Sequence, residues 1–152
     1  VQVSWVAAAM SFAFWLGATA PGQLWNAAEI AVACQARGVD PLVGVSVAWQ
    51  ESRFVSTALG GVGEIGTMQI YWHGSGHAFP RDVDLWDTWN NAQEGCARLA
   101  FWKHHKRAAV RRHYIAHYNG GWDLKGKTKA FRYERAVKNR IVRWRRATLG
   151  ET

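Results

Sequence analysis

The amino-acid sequence predicts an all-α fold, and three observations carry the prediction. Apolar residues recur at three- and four-residue spacing over several stretches, which is the helical period. Glycine, proline and capping residues fall at intervals that delimit helices rather than strands. No internal repeat or low-complexity linker interrupts the pattern, and 152 residues, 49% of them hydrophobic with only 3 Pro, suit one compact domain with its own core.

The first stretch, Trp5 to Leu16, is almost wholly apolar, and nothing from Val1 to Ala28 carries charge. It reads as an export signal or membrane anchor over residues 1–22, ahead of a domain over residues 23–152. The alternative is a buried first helix, since apolar runs shorter than about 20 residues are often core. Ala18-Thr19-Ala20 has the small-x-small form of a cleavage site, although no basic segment precedes it. Pro21-Gly22 ends this leader. Leu24 to Arg37 then places apolar residues at 24, 27, 28, 31 and 34 before Gly38, the pattern of an amphipathic helix with a glycine just past its end.

Asp40-Pro41 supplies a cap followed by proline at the first helical position, and Leu42 to Trp49 is apolar or small throughout. A helix without a polar face over two turns is surrounded by protein, so the polar group at its end, Glu51, sits beside the core. From Ser56 to Pro80 the glycines at 60, 61, 63, 66, 74 and 76 predict loop, with a short irregular hairpin around residues 60–72. Asn91 with Glu94 three residues on has the form of a capping box, opening a helix that carries Leu99, Phe101 and Trp102. A further helix ends at Asn119-Gly120-Gly121. The last, from about Thr128 to Ala147, repeats apolar groups at Tyr133, Val137, Ile141 and Trp144 and fills its other faces with Lys and Arg.

Composition narrows the function classes. Ten Trp, 6 Phe and 4 Tyr exclude a disordered chain, and two Cys exclude a disulfide scaffold; no CxxC pair suggests zinc. Cys34 and Cys96 fall on two predicted helices, where burial of the residue type favours two thiols over a bridge. The net charge of +8 is uneven, with 16 of the 19 Lys and Arg lying from Arg98 onward. A polyanionic partner follows, whether wall polymer, anionic lipid or nucleic acid. His73 and His77, with Asp82 and Asp84 following, have a metal-like spacing, but i,i+4 presents two ligands only on a helix and Gly74 and Gly76 argue against one, so no metal and no cofactor is expected.

Burial beside an apolar helix and the negative end of that helix both raise the pKa of Glu51, which suits a general acid near neutral pH. Here a family resemblance becomes specific. Gly38-Val39-Asp40-Pro41-Leu42-Val43 followed by Trp49-Gln50-Glu51-Ser52-Arg53-Phe54, then Gly66-Thr67-Met68-Gln69-Ile70, then Ala116-His117-Tyr118-Asn119-Gly120-Gly121, resemble in order the motifs of the soluble lytic transglycosylase domain. Trp86-Asp87 through Asn91, and Gly95 to Leu99, also have the family's spacing. The departures are Thr67 where the family usually has Leu, Glu64 where a small residue is common, and His117 ahead of the tyrosine.

The resemblance implies a lysozyme-like architecture acting on peptidoglycan glycan strands at the cell envelope or periplasm, exported or membrane-anchored, or carried by a phage particle. It implies Glu51 as the only catalytic acid and base, giving 1,6-anhydro products with no metal or organic cofactor. Tyr118 is then near the acid or the substrate acetamido group, Gln69 and Asn119 offer amide contacts, and Ser52 and Met68 shape the site. Trp72 and Trp122 follow motifs in Gly-flanked stretches, where an indole can stack on a sugar ring or simply pack a loop. Glu64 opens an alternative, a hydrolytic muramidase of goose-type lysozyme kind in which a second carboxylate activates water. A non-catalytic basic module holding glycan or nucleic acid is a rival, but it leaves Glu51 with Gln69 and Tyr118-Asn119 unexplained, so nucleic acid is not the expected partner.

Overall fold

The computed structural model describes residues 4–71 and 83–150. Among them are seven helices: α1 (Trp5–Leu16), α2 (Pro21–Ala36), α3 (Pro41–Ser52), α4 (Thr88–Lys103), α5 (Ala108–Arg112), α6 (Tyr114–Gly120) and α7 (Thr128–Leu149). The all-α expectation holds. Two antiparallel bridges, Leu59–Ile65 and Ile65–Ile70, fold the glycine-rich segment back on itself.

The centre of the molecule is α3. Asp40 caps it, its side chain accepting from the Leu42 N–H at 2.9 Å, and every residue from Leu42 to Ala48 is buried. α1, α2 and α7 all pack against it. Ser46, the one hydroxyl in that run, donates to the Val137 carbonyl of α7 at 3.2 Å, so the polar atom enters the core satisfied.

The apolar leader forms α1, and its inner face belongs to the core: Ala9, Phe12 and Ala13 are fully buried, with the Phe12 ring 5.3 Å from that of Trp144 on α7. Among the described residues no helix is long and apolar enough to cross a membrane. Pro21, expected to close the leader, instead opens α2 at its first position, where a missing N–H costs nothing. Gly38 follows α2 with φ +68, the left-handed geometry expected there.

Two expectations are corrected. The cap of α4 is Asp87, which accepts from the Asn90 N–H at 2.9 Å, so the helix starts ahead of Asn91 and the asparagine lies inside it. Cys34 and Cys96 are not two buried thiols: they form a disulfide that joins α2 to α4, with Cα atoms 4.8 Å apart. The close approach continues to α3 through Gly44, where a Cβ would fall 2.4 Å from the Cys34 Sγ. The bridge closes a loop of 62 residues. Opening it by reduction and alkylation, or by Cys34→Ala with Cys96→Ala, should lower the unfolding free energy by about 2–4 kcal/mol, read by comparing urea unfolding of the bridged and opened chains.

Candidate active site

Glu51 stands one residue from the end of α3, where Arg53 leaves the helix in the left-handed conformation (φ 57) with its guanidinium 4.4 Å from the Trp49 ring. A cleft of about 520 Å³ opens beside it. Its walls come from the end of α3, the folded-back segment at residues 60–71, α4 (Arg98, Trp102) and α6 (His117, Tyr118, Asn119). Glu51, Glu64, Gln69, Tyr118 and Asn119, which lie far apart in the sequence, all line this cleft.

The carboxyl of Glu51 is pushed up from its ordinary 4.5 to about 7. Burial is the main cause, and the negative charge of Glu64 adds to it, while a hydrogen bond from Tyr133 and the charge of Lys129 pull the other way. Tyr133 is the direct partner: its hydroxyl donates to Glu51 Oε1 at 2.5 Å. Burial and the nearby Glu51 hold the Tyr133 hydroxyl well above its usual range, so it remains a donor. A carboxyl in this state can give a proton to an oxygen at neutral pH and, once ionised, is stabilised by the phenol beside it.

A further variant checks that pairing without any substrate. In Tyr133→Phe the carboxylate loses its donor, so the Glu51 pKa should rise further, by roughly one pH unit for a hydrogen bond to a charged group. Carboxyl titration followed by NMR reads the change directly.

The Gly66–Ile70 turn is fixed by one side chain from α4. Asn91, fully buried, accepts at Oδ1 from the Met68 N–H (2.8 Å) and the Thr67 hydroxyl (3.1 Å), and its Nδ2 donates to the carbonyls of Ile65 (2.7 Å) and Leu85 (2.9 Å). All four of its bonding positions are used. Gly66 has no alternative here: its φ is +77, and a Cβ would strike Asn91 Nδ2 at 2.3 Å and the Leu85 carbonyl at 2.8 Å. Thr67, the departure from the usual leucine, uses its hydroxyl in this network.

The remaining named residues divide by position. Gln69 sits at φ +51, a strained conformation for a side-chain-bearing residue, and its Nε2 donates to the carbonyls of Gly66 (3.0 Å) and Ala58 (3.2 Å). Glu64 Oε2 accepts from the Val62 N–H at 3.1 Å, and Gly60 leaves room for it, since a Cβ there would lie 2.2 Å from that oxygen. Tyr118 donates to the Met68 carbonyl at 2.7 Å rather than to Glu51. Asn119 is exposed in the cleft.

Ser52 and Met68 stand behind the wall. Ser52 Oγ donates to the Thr67 carbonyl at 2.8 Å, fastening the end of α3 to the turn, and Met68 is fully buried against Gly95. Trp122 is half exposed and packs edge-on against Trp102, ring centroids 4.6 Å apart, at the margin of the cleft. His117 stacks on Trp102 with ring centroids 5.0 Å apart, its Nδ1 bonded to the Gly121 carbonyl at 2.7 Å. Trp72, His73, His77 and Asp82 lie outside the described residues.

Sequence reasoning placed Tyr133 only in the apolar stripe of α7. The available signal was the hydroxyl, since a buried tyrosine needs a partner for its O–H.

With this geometry in view, a family model for the transglycosylase SLT domain matches residues 29–141, about three quarters of the chain. Among curated proteins and among solved structures, none matches.

Proposed function

Because this chain belongs to the transglycosylase SLT family, whose members act on peptidoglycan, we propose that it cleaves the β-1,4 bond between N-acetylmuramic acid and N-acetylglucosamine without consuming water. Glu51 is the acid and then the base. The observation that carries this reading is the partly buried carboxyl of Glu51, with a pKa near 7, lining a cleft open enough for a sugar chain.

Protonated Glu51 gives its proton to the glycosidic oxygen as the bond to the muramyl C1 breaks. The substrate's own acetamido carbonyl oxygen bonds to C1 and carries the positive charge, so no carboxylate nucleophile is needed. The Glu51 carboxylate, held by the Tyr133 hydroxyl, then takes the proton of the muramyl 6-hydroxyl as that oxygen attacks C1. The acetamido group leaves C1 and a 1,6-anhydro ring closes. Gln69, its amide nitrogen already engaged by the turn, offers its oxygen as an acceptor for sugar. Asn119 offers amide contacts, and Trp122 beside Trp102 gives a sugar ring an apolar margin. Ser52, Met68 and Tyr118 hold the turn that carries Gln69.

Glu64 favours a second reading. It shares the cleft and acts on Glu51 through its charge, so it can serve as the base for a water molecule and make the reaction hydrolytic. Mass spectrometry of muropeptides released from purified sacculi separates the two. Anhydro products, lighter by one water, are expected; hydrated reducing ends would establish the hydrolase, and no released muropeptide at all would leave only a binding module.

A further inference from the structure

A second hollow, of about 380 Å³, adjoins the cleft through Gly120. Gly120 lines the cleft and also touches Leu124 and Lys127: a Cβ on it would fall 2.6 Å from Leu124 Cδ2, and its carbonyl accepts from Lys127 Nζ at 2.5 Å. Leu124 and Lys127 in turn line the hollow, together with Thr128, Phe131, Arg132 and Arg135 of α7. Those four positions share one face of the helix, because residues three and four apart are neighbours.

The hollow is positive. Its lining holds two arginines and a lysine and no acid. Glu134, the one acid of α7, is buried and taken up by His113 at 2.9 Å and Lys138 at 2.7 Å. Among the described residues neither Arg132 nor Arg135 has a carboxylate partner. Cations gathered around a concave surface attract anions, and a guanidinium is shaped to hold a carboxylate through two parallel bonds. Phe131, 36% exposed, and Leu124 add apolar surface beside these cations. That lining suits an anion carried on small alkyl groups better than a bare inorganic ion.

Such an anion comes with the proposed substrate. Each muramyl residue of peptidoglycan can carry a short peptide on its lactyl group, with free carboxylates and alanine methyls. A few extended residues span ~10 Å, enough for a stem to reach from a strand in the cleft to a hollow one residue beyond its wall. We propose that Lys127, Arg132 and Arg135 form a subsite for stem-peptide carboxylates, which makes peptide-bearing strands better substrates than bare ones. The inference rests on the peptidoglycan reading of the cleft and extends it from the sugar backbone to the peptide branches. The three cations act on binding and not on the chemical step.

The double variant Arg132→Gln with Arg135→Gln tests it on two substrates, soluble strands with their stems and the same strands stripped by an amidase. KM for intact strands should rise about tenfold, the weight of two exposed ion pairs, with kcat unchanged, and KM for stripped strands should stay where it is. Arg143→Gln with Arg146→Gln removes the same charge from exposed positions about 12 Å further along α7 and should have far less effect. Equal losses from the two double variants would overturn the subsite in favour of a diffuse basic surface. Equal losses on both substrates, or none on either, would overturn it as well. Cosedimentation of the Glu51→Gln chain with purified sacculi reads binding apart from cutting. If the unaltered chain cuts nothing, yet Arg132 and Arg135 are needed to hold stem-bearing sacculi, the cutting is refuted and the subsite stands. Binding lost when hydrofluoric acid removes phosphate polymers, and indifferent to the amidase, would overturn the proposal in favour of a phosphodiester ligand.

Discussion

Replacing Glu51 with glutamine is expected to lower lysis of sacculi by about a thousandfold or more, the upper range for loss of a general acid, while glycan binding and the fold persist. The substitution keeps the shape of the side chain and removes only its proton chemistry. A second effect has the opposite sign. A carboxyl whose pKa rises from 4.5 to about 7 on folding binds its proton more tightly in the folded state, so its ionisation works against folding. Stability is therefore lost as pH rises from the unfolded value to the folded one, and the cost is complete above pH 7 at about 3 kcal/mol. Glutamine does not ionise. The inactive variant should thus be the more stable of the two at pH 8 and show no such gain at pH 4, measured by urea unfolding at both. Appreciable lysis by Glu51→Gln would move the acid to another residue, with Glu64 the first to replace.

The largest loss of stability is expected at Asn91. Alanine there strands the Met68 N–H and the Leu85 carbonyl in the interior, each costing about 1–3 kcal/mol when unpaired and dry, and takes one of two donors from the Ile65 carbonyl, which keeps the Ile70 N–H. A total of roughly 4 kcal/mol is a large part of the stability of a domain this size. Asn91→Asp distinguishes a packing effect from a bonding one, because it fills the same space but turns an oxygen toward two carbonyls. Aspartate should be no better than alanine. In both variants activity should fall further than the unfolded fraction alone accounts for, since the turn they loosen also carries Gln69 and the carbonyl that Tyr118 grips. Equal thermal midpoints for Asn91→Ala and the unaltered chain would show the four bonds to be unimportant.

The order of helices was readable because caps and apolar spacing are local. Asp40-Pro41, Gly38 and the uninterrupted apolar run of α3 announce a buried helix and hence an acid at its end. Asn91 was misread for an instructive reason. Asn followed by Glu at the third position has the same form whether the amide caps its own helix or reaches a turn some 25 residues upstream. Local pattern favours the cap, and tertiary contact decides for the turn. Tyr133 was hidden by its own good fit to an apolar stripe, since spacing locates a ring but not the group to which its hydroxyl points. The bridge was undecidable from residue type, because pairing depends on a Cα separation that only helix packing sets.

The Cys34–Cys96 bridge gives the domain two states of toughness. In a thiol-rich cytosol the sulfurs remain reduced, and the helices that carry them are held by packing alone. Once the chain meets oxidising surroundings the two become one cross-linked body. The same chain is therefore softer under reducing conditions and sturdier under oxidising ones.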